Sequence, residues 1–129
     1  MDLLKKLLST DLNVTKQVFI KRLDSVLTVK GITNEEFEEI HERATYYEGK
    51  GNKRTKKYDN QQATHMSIAK CLVEPNLNDP EVLKSTGVDE PWQAVAKLFL
   101  PGEQDLLETA IGECSGFVDG EVEIEEVKN

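Results

Sequence analysis

Residues that usually carry chemistry are scarce in this chain: two histidines, two cysteines and one tryptophan in 129 positions. Neither His41 nor His65 has a second ligand three or four residues further on, and no Ser or Cys is placed to form a dyad with either. The pattern predicts no metal centre and no nucleophilic site, and both histidines read as surface or supporting groups. Cys71 and Cys114 lack metal-type spacing and fall within helical patterns. They read as small buried apolar residues in a reducing compartment, the alternative being a disulfide if the protein were secreted. No cofactor is implied.

Long apolar runs are missing as well. No stretch approaches the roughly 20 residues needed to cross a bilayer, so no membrane association is expected. The start, MDLLKKLLST, has neither the uninterrupted apolar core nor the small-residue cleavage site of a signal peptide, which predicts a cytoplasmic protein. Phosphate-binding motifs are absent too, since the Lys-rich segment Gly49 to Lys57 follows no strand signal and lacks P-loop order. With two glycines and an asparagine it reads as a mobile, exposed loop.

What the chain has in excess is acid, and unevenly. Net charge is −8, with +3 over residues 1–58 and −11 over residues 59–129. An acidic C-terminal half argues against nucleic-acid binding, because phosphate neutralisation drives that affinity. Many of the acids sit where helix N-termini require them, so paired glutamates such as Glu35, Glu36, Glu38 and Glu39 read as a solvated helix face rather than a catalytic pair.

The order of elements follows from turn and cap signals. Leu3, Leu4, Leu7 and Leu8 fall on one face of a short helix, with Lys5 and Lys6 opposite. That face either packs on its own domain or docks on a client or second copy. Val14 to Ile32 is the β-like region, with Asp24-Ser25 as a two-residue hairpin turn and Gly31 at its exit. Thr33 and Glu36 form a capping box, opening a helix over 34–47 whose stripe is Phe37, Ile40, Ala44 and Tyr47. Asp59 caps a second helix over 60–73, ended by Pro75 and apolar over most of its girth, which places it at the centre of the fold.

Further on, Asp79 and Pro80 start a short helix closed by Gly87. Helices at 92–99 and 102–114 follow, the first presenting Trp92, Val95 and Phe99, the second Leu106, Leu107, Ala110, Ile111 and Cys114. Phe117 is placed to fold back on the last helix. Together these predict an α+β fold, mainly α: a small helical domain with an N-terminal β-hairpin packed on it. The chain divides into an amphipathic arm (1–13), a folded domain (14–117) and an acidic tail (118–129). Apolar and acidic residues alternate in that tail, so Val122 and Ile124 could face a partner in a strand, while its charge density favours disorder until something binds.

One ordered set of short motifs goes beyond physics. Cys71-Leu72-Val73-Glu74-Pro75-Asn76-Leu77, Leu83, Gly87, Leu98–Leu100, Pro101-Gly102-Glu103, Leu106-Leu107 and Ser115-Gly116-Phe117 resemble the XkdN-like phage tail assembly chaperones. The upstream run from Gly31 to Ile40 does so too, and the likeness spans Val14 to Phe117. The resemblance implies a non-enzymatic, protein-binding role in viral morphogenesis. Its partners would be the tape measure protein, kept soluble, and the major tail tube protein, recruited around it. Such a chaperone works in the host bacterial cytoplasm and is absent from the mature virion. The candidate partner-binding residues are Leu3, Leu4, Leu7, Leu8, Val122 and Ile124. The competing reading is an acidic phage regulatory protein or DNA mimic.

Overall fold

The computed structural model describes residues 2–117. It is 56% helix and 20% strand, which makes it the mainly-α mixed fold expected from the sequence. Strands β1 (Thr15–Ile20) and β2 (Ser25–Lys30) form the antiparallel hairpin, with Val18 opposite Leu27 and Phe19 opposite Val26. Val18, Ile20, Leu27 and Val29 point into the core, while Phe19 and Val26 on the other face stay half exposed. The turn differs from the expected one. Ser25 already pairs with Ile20, and a 3-10 turn over Lys21–Leu23 closes through Asp24 in the left-handed conformation (φ 47°). Aspartate is one of the few residues that tolerates that region at small cost, which is why a four-residue corner forms here.

Helix α2 (Asn34–Ala44) opens on the expected capping box: Thr33 Oγ1 accepts from Glu36 N (3.1 Å) and Glu36 Oε1 accepts from Thr33 N (3.0 Å). It ends three residues short of the expected 47. Thr45–Glu48 instead forms β3, paired antiparallel with β4 (Thr55–Tyr58). Thr45, Tyr46 and Tyr47 favour extended backbone, and a partner strand was available nearby to outbid one more helical turn. The first hairpin is therefore not the sole β region, and the Lys-rich segment is part of a second hairpin rather than a loop. Of the expected stripe, Ile40 and Ala44 are buried, whereas Phe37 and Tyr47 are about half exposed.

Helix α3 (Asn60–Cys71) starts at Asp59, whose carboxylate accepts from Gln62 N (3.0 Å). It too ends early. Leu72–Glu74 becomes β5, which adds to the free edge of β2, giving the order β1-β2-β5. Glu74 precedes Pro75 and disfavours helical backbone, so the extended path is the cheaper one. The helix is central as expected: Met66, Ile68, Ala69 and Cys71 are buried, each Ile- or Met-sized side chain contributing roughly 1.5–3 kcal/mol.

Helix α4 (Pro80–Thr86) has the expected Asp79 cap and ends at Gly87 in the left-handed region (φ 72°). The segment from Trp92 begins as a 3-10 turn (Pro91–Ala94) before α5 (Val95–Leu98), and α6 runs Pro101–Cys114. Val95 and Leu107 are fully buried against Ile20, Val29 and Ile68. Leu106 is not on the core side: it is 52% exposed.

The two ends of the folded body meet at one corner. Gly31 N donates to Val14 O (3.0 Å), and a Cβ on Gly31 would lie 2.5 Å from Cys114 O. Ser115 Oγ accepts from Ile32 N (2.8 Å) and donates to Ile111 O (2.6 Å), tying the exit of β2 to the end of α6. Phe117 N then donates to Gly112 O (2.8 Å), folding the chain back as expected.

Candidate partner-binding surfaces

The N-terminal arm forms helix α1 (Leu3–Ser9), capped by Asp2, whose carboxylate accepts from Leu4 N (3.2 Å). None of its residues is buried. Leu3, Leu4, Leu7 and Leu8 are 59–81% exposed, so the body does not cover the apolar stripe. A seven-residue helix with one wet apolar face is marginal by itself and gains stability when that face is covered. The other two candidates, Val122 and Ile124, lie outside the described residues.

The second hairpin was missed by the sequence reading. Lys50, Lys53, Arg54, Lys56 and Lys57 cluster there with Tyr46, Tyr47 and Tyr58. The Arg54 guanidinium sits over the Tyr47 ring at 4.4 Å, and Tyr58 stacks on His41 of α2 at 5.0 Å. The β-favouring residues Thr45, Tyr46, Tyr47, Thr55 and Tyr58 were the available strand signal, split by the glycines between.

A third surface lies where β1 meets α6. Phe19 and Leu106 border one open groove, and Leu100, Leu106 and Ile20 border the next, beside Arg22 and Glu103. Arg22 holds that region in place. Its Nε and Nη2 donate to the two oxygens of Glu103 (2.8 Å each), and Nη2 also reaches Leu98 O (3.0 Å). The Arg22 guanidinium, then the Leu100 N–H, hold the Glu103 carboxyl below its ordinary range.

The remaining polar groups serve the fold. Of the two readings, surface or supporting group, His65 meets the second: it is buried, and its Nε2 meets Gln104 Oε1 at 3.0 Å between α3 and α6. Cys71 and Cys114 are both free and buried; burial pushes the Cys71 thiol up to about 11 and raises that of Cys114. Among the described residues no three His, Cys, Asp or Glu side chains could hold one metal ion, and no helix is long and apolar enough to cross a membrane. Trp92 is half-buried against the core and borders a cavity of about 190 Å3 with Arg43, Met66, Lys70 and Glu90. Its buried Nε1 has no hydrogen-bond partner among the described residues.

Several acids are committed to cations: Glu36 to Lys30, Glu39 to Lys70, Glu90 to Arg43, Glu103 to Arg22 and Glu113 to Lys16. A carboxylate array shaped like a phosphate backbone would need those groups free. Among the described residues the geometry therefore offers uncovered apolar and basic surfaces.

A family model described as phage XkdN-like tail assembly chaperone protein fits residues 4–128. No curated protein and no solved structure matches the chain.

Proposed function

Because this chain belongs to the XkdN-like phage tail assembly chaperone family, we propose that it binds the tape measure protein and keeps it soluble. On this reading it also helps bring major tail tube subunits onto that client, acts in the host bacterial cytoplasm, catalyses nothing and is absent from the mature virion. The observation that carries the reading is the α1 face. Four leucines stand uncovered on a helix that its own body does not bury, as a helix-in-groove contact with a long helical client requires. The arm (1–13) and the tail (118–129), with Val122 and Ile124, are the client contacts, and 14–117 is the body that carries them.

Co-expression with the client tests this. Truncation of residues 1–12, and separately of residues 118–129, should each leave the melting temperature nearly unchanged and lower the amount of soluble tape measure protein. Full client solubility with both truncations would move the binding surface to the body and overturn the assignment. Unfolding on loss of residues 1–12 would make the leucines core, against their exposure.

A further inference from the structure

The second hairpin is a strongly basic two-stranded sheet to which no further strand is paired among the described residues. Residues 45–58 hold five Lys/Arg against one Glu, and none of the ion pairs found among the described residues uses those five cations. β3 and β4 pair only with each other among the described residues, so each presents an outer edge of backbone N–H and C=O groups. By register, Lys56 shares a face with Tyr47 and Tyr58, and Lys57 shares the other with Tyr46. Each face thus offers a cation beside an aromatic ring.

A segment of matching character follows the described residues. Residues 118–129 hold five acids against one lysine, so a net of −4 meets the hairpin's +4. Asp119, Glu121, Glu123 and Glu125 fall at every second position, with Val122 and Ile124 between them. A strand of that pattern sets carboxylates on one face and apolar groups on the other.

Tether geometry brings the two together. The tail begins after Phe117, whose ring rests on Phe37 of α2 with centroids 5.9 Å apart. His41, one turn further along the same face of α2, carries the Tyr58 ring. The tail origin and the base of β4 therefore rest on α2 residues one helical turn apart, about 6 Å of rise along the helix. A 12-residue tail can span up to about 40 Å, while a four-residue strand needs only about 13 Å. A chain setting out from Phe117 toward the hairpin tip would also run antiparallel to β4, which runs from tip to base.

We infer that residues 118–129 dock on the β3–β4 hairpin of the same chain, as a strand along the β4 edge with carboxylates on its lysines. The tail thereby shields a basic surface when no partner is bound. The same residues are the client contact proposed above, so the docked state is the client-free one; the test uses no client, and its outcome is therefore distinct from that of the chaperone reading.

The test uses the full chain with Val127→Cys carrying a nitroxide; Cys71 and Cys114 are buried and leave the new thiol as the one that labels. Amide resonances of Thr55–Tyr58 should broaden several-fold more than those of α4, at low salt, and recover in about 1 M salt as the charges are screened. Lys53→Gln/Lys56→Gln/Lys57→Gln, checked for unchanged circular dichroism, should abolish the broadening. Broadening that survives those substitutions, that centres on the β1–α6 grooves, or that is absent overturns the inference. Broadening between labelled and unlabelled molecules in a mixture would assign the hairpin to a second copy and overturn it equally. So would a duplex oligonucleotide that shifts the hairpin resonances while the label leaves them untouched.

Discussion

Gly31 and Cys114 approach so closely that a side chain on the first has no room: its Cβ would stand 2.5 Å from the Cys114 carbonyl oxygen. That oxygen belongs to the last turn of α6, so the clash meets backbone and cannot be relieved by a rotamer change. Gly31→Ala should destabilise by about 1–3 kcal/mol, the usual cost of overpacking a tight contact. Urea denaturation monitored by circular dichroism measures it, and an unchanged midpoint would mean the corner is loose.

Arg22 and Glu103 make the chain's acid response partly local. The native carboxyl is held down by the guanidinium and the Leu100 N–H, so the unfolded state binds the proton more readily. The stabilisation is fully present above the ordinary carboxylate value of 4.5 and fades as pH falls through the lowered native value. Arg22→Gln should destabilise at pH 7 and flatten the loss of stability between neutral and acidic pH. Parallel wild-type and variant curves would refute the coupling.

Glu36 should act in the same sense. Burial alone would raise its carboxyl, but the Lys30 ammonium and the Thr33 backbone and hydroxyl outweigh that and lower it. Thr33→Ala removes the acceptor at the α2 N-terminus and should cost about 1 kcal/mol at neutral pH. Thermal melting would read this directly, and a Tm unchanged to within a degree would show that the cap is dispensable.

Both thiols should be silent in the native protein. With Cys71 pushed up to about 11 and both side chains buried, the thiolate is rare and shielded at pH 8. Iodoacetamide should modify neither residue at a useful rate until denaturant is added, when both react. Fast native labelling of Cys71, followed by mass spectrometry, would contradict its burial.

Leu4→Lys together with Leu8→Lys should leave stability within about 0.5 kcal/mol of wild type, because exposed positions far from the core rarely matter more. The same pair should lower client solubility in co-expression. A large drop in Tm would show that the stripe packs on the body.

Helix starts were legible because caps are local chemistry: Thr33 with Glu36, Asp59, and Asp79 with Pro80 each act where the sequence places them. Helix ends were less so. α2 stops before Tyr47 and α3 before Val73 because distant strands compete for those residues, and no local pattern announces a partner about ten residues or forty-odd away. The Gln104 partner of His65 comes from another helix, which is likewise a tertiary fact. Of the candidate site, the leucine stripe could be read from spacing, but its exposure could not. The basic hairpin was hidden by its glycines.

Both terminal segments depart from the corner where Val14, Gly31 and Cys114 meet, since Phe117 lies three residues past Cys114 and folds back on Gly112. Two arms rooted at one pivot share any object held there. Once one arm has engaged, the other searches a volume set by its own tether, at an effective concentration that reaches the millimolar range for short linkers. The two grips would then multiply rather than add, so cutting either arm would weaken attachment far more than that arm's own contacts suggest. The same arithmetic works in reverse, because dislodging one arm loosens the other.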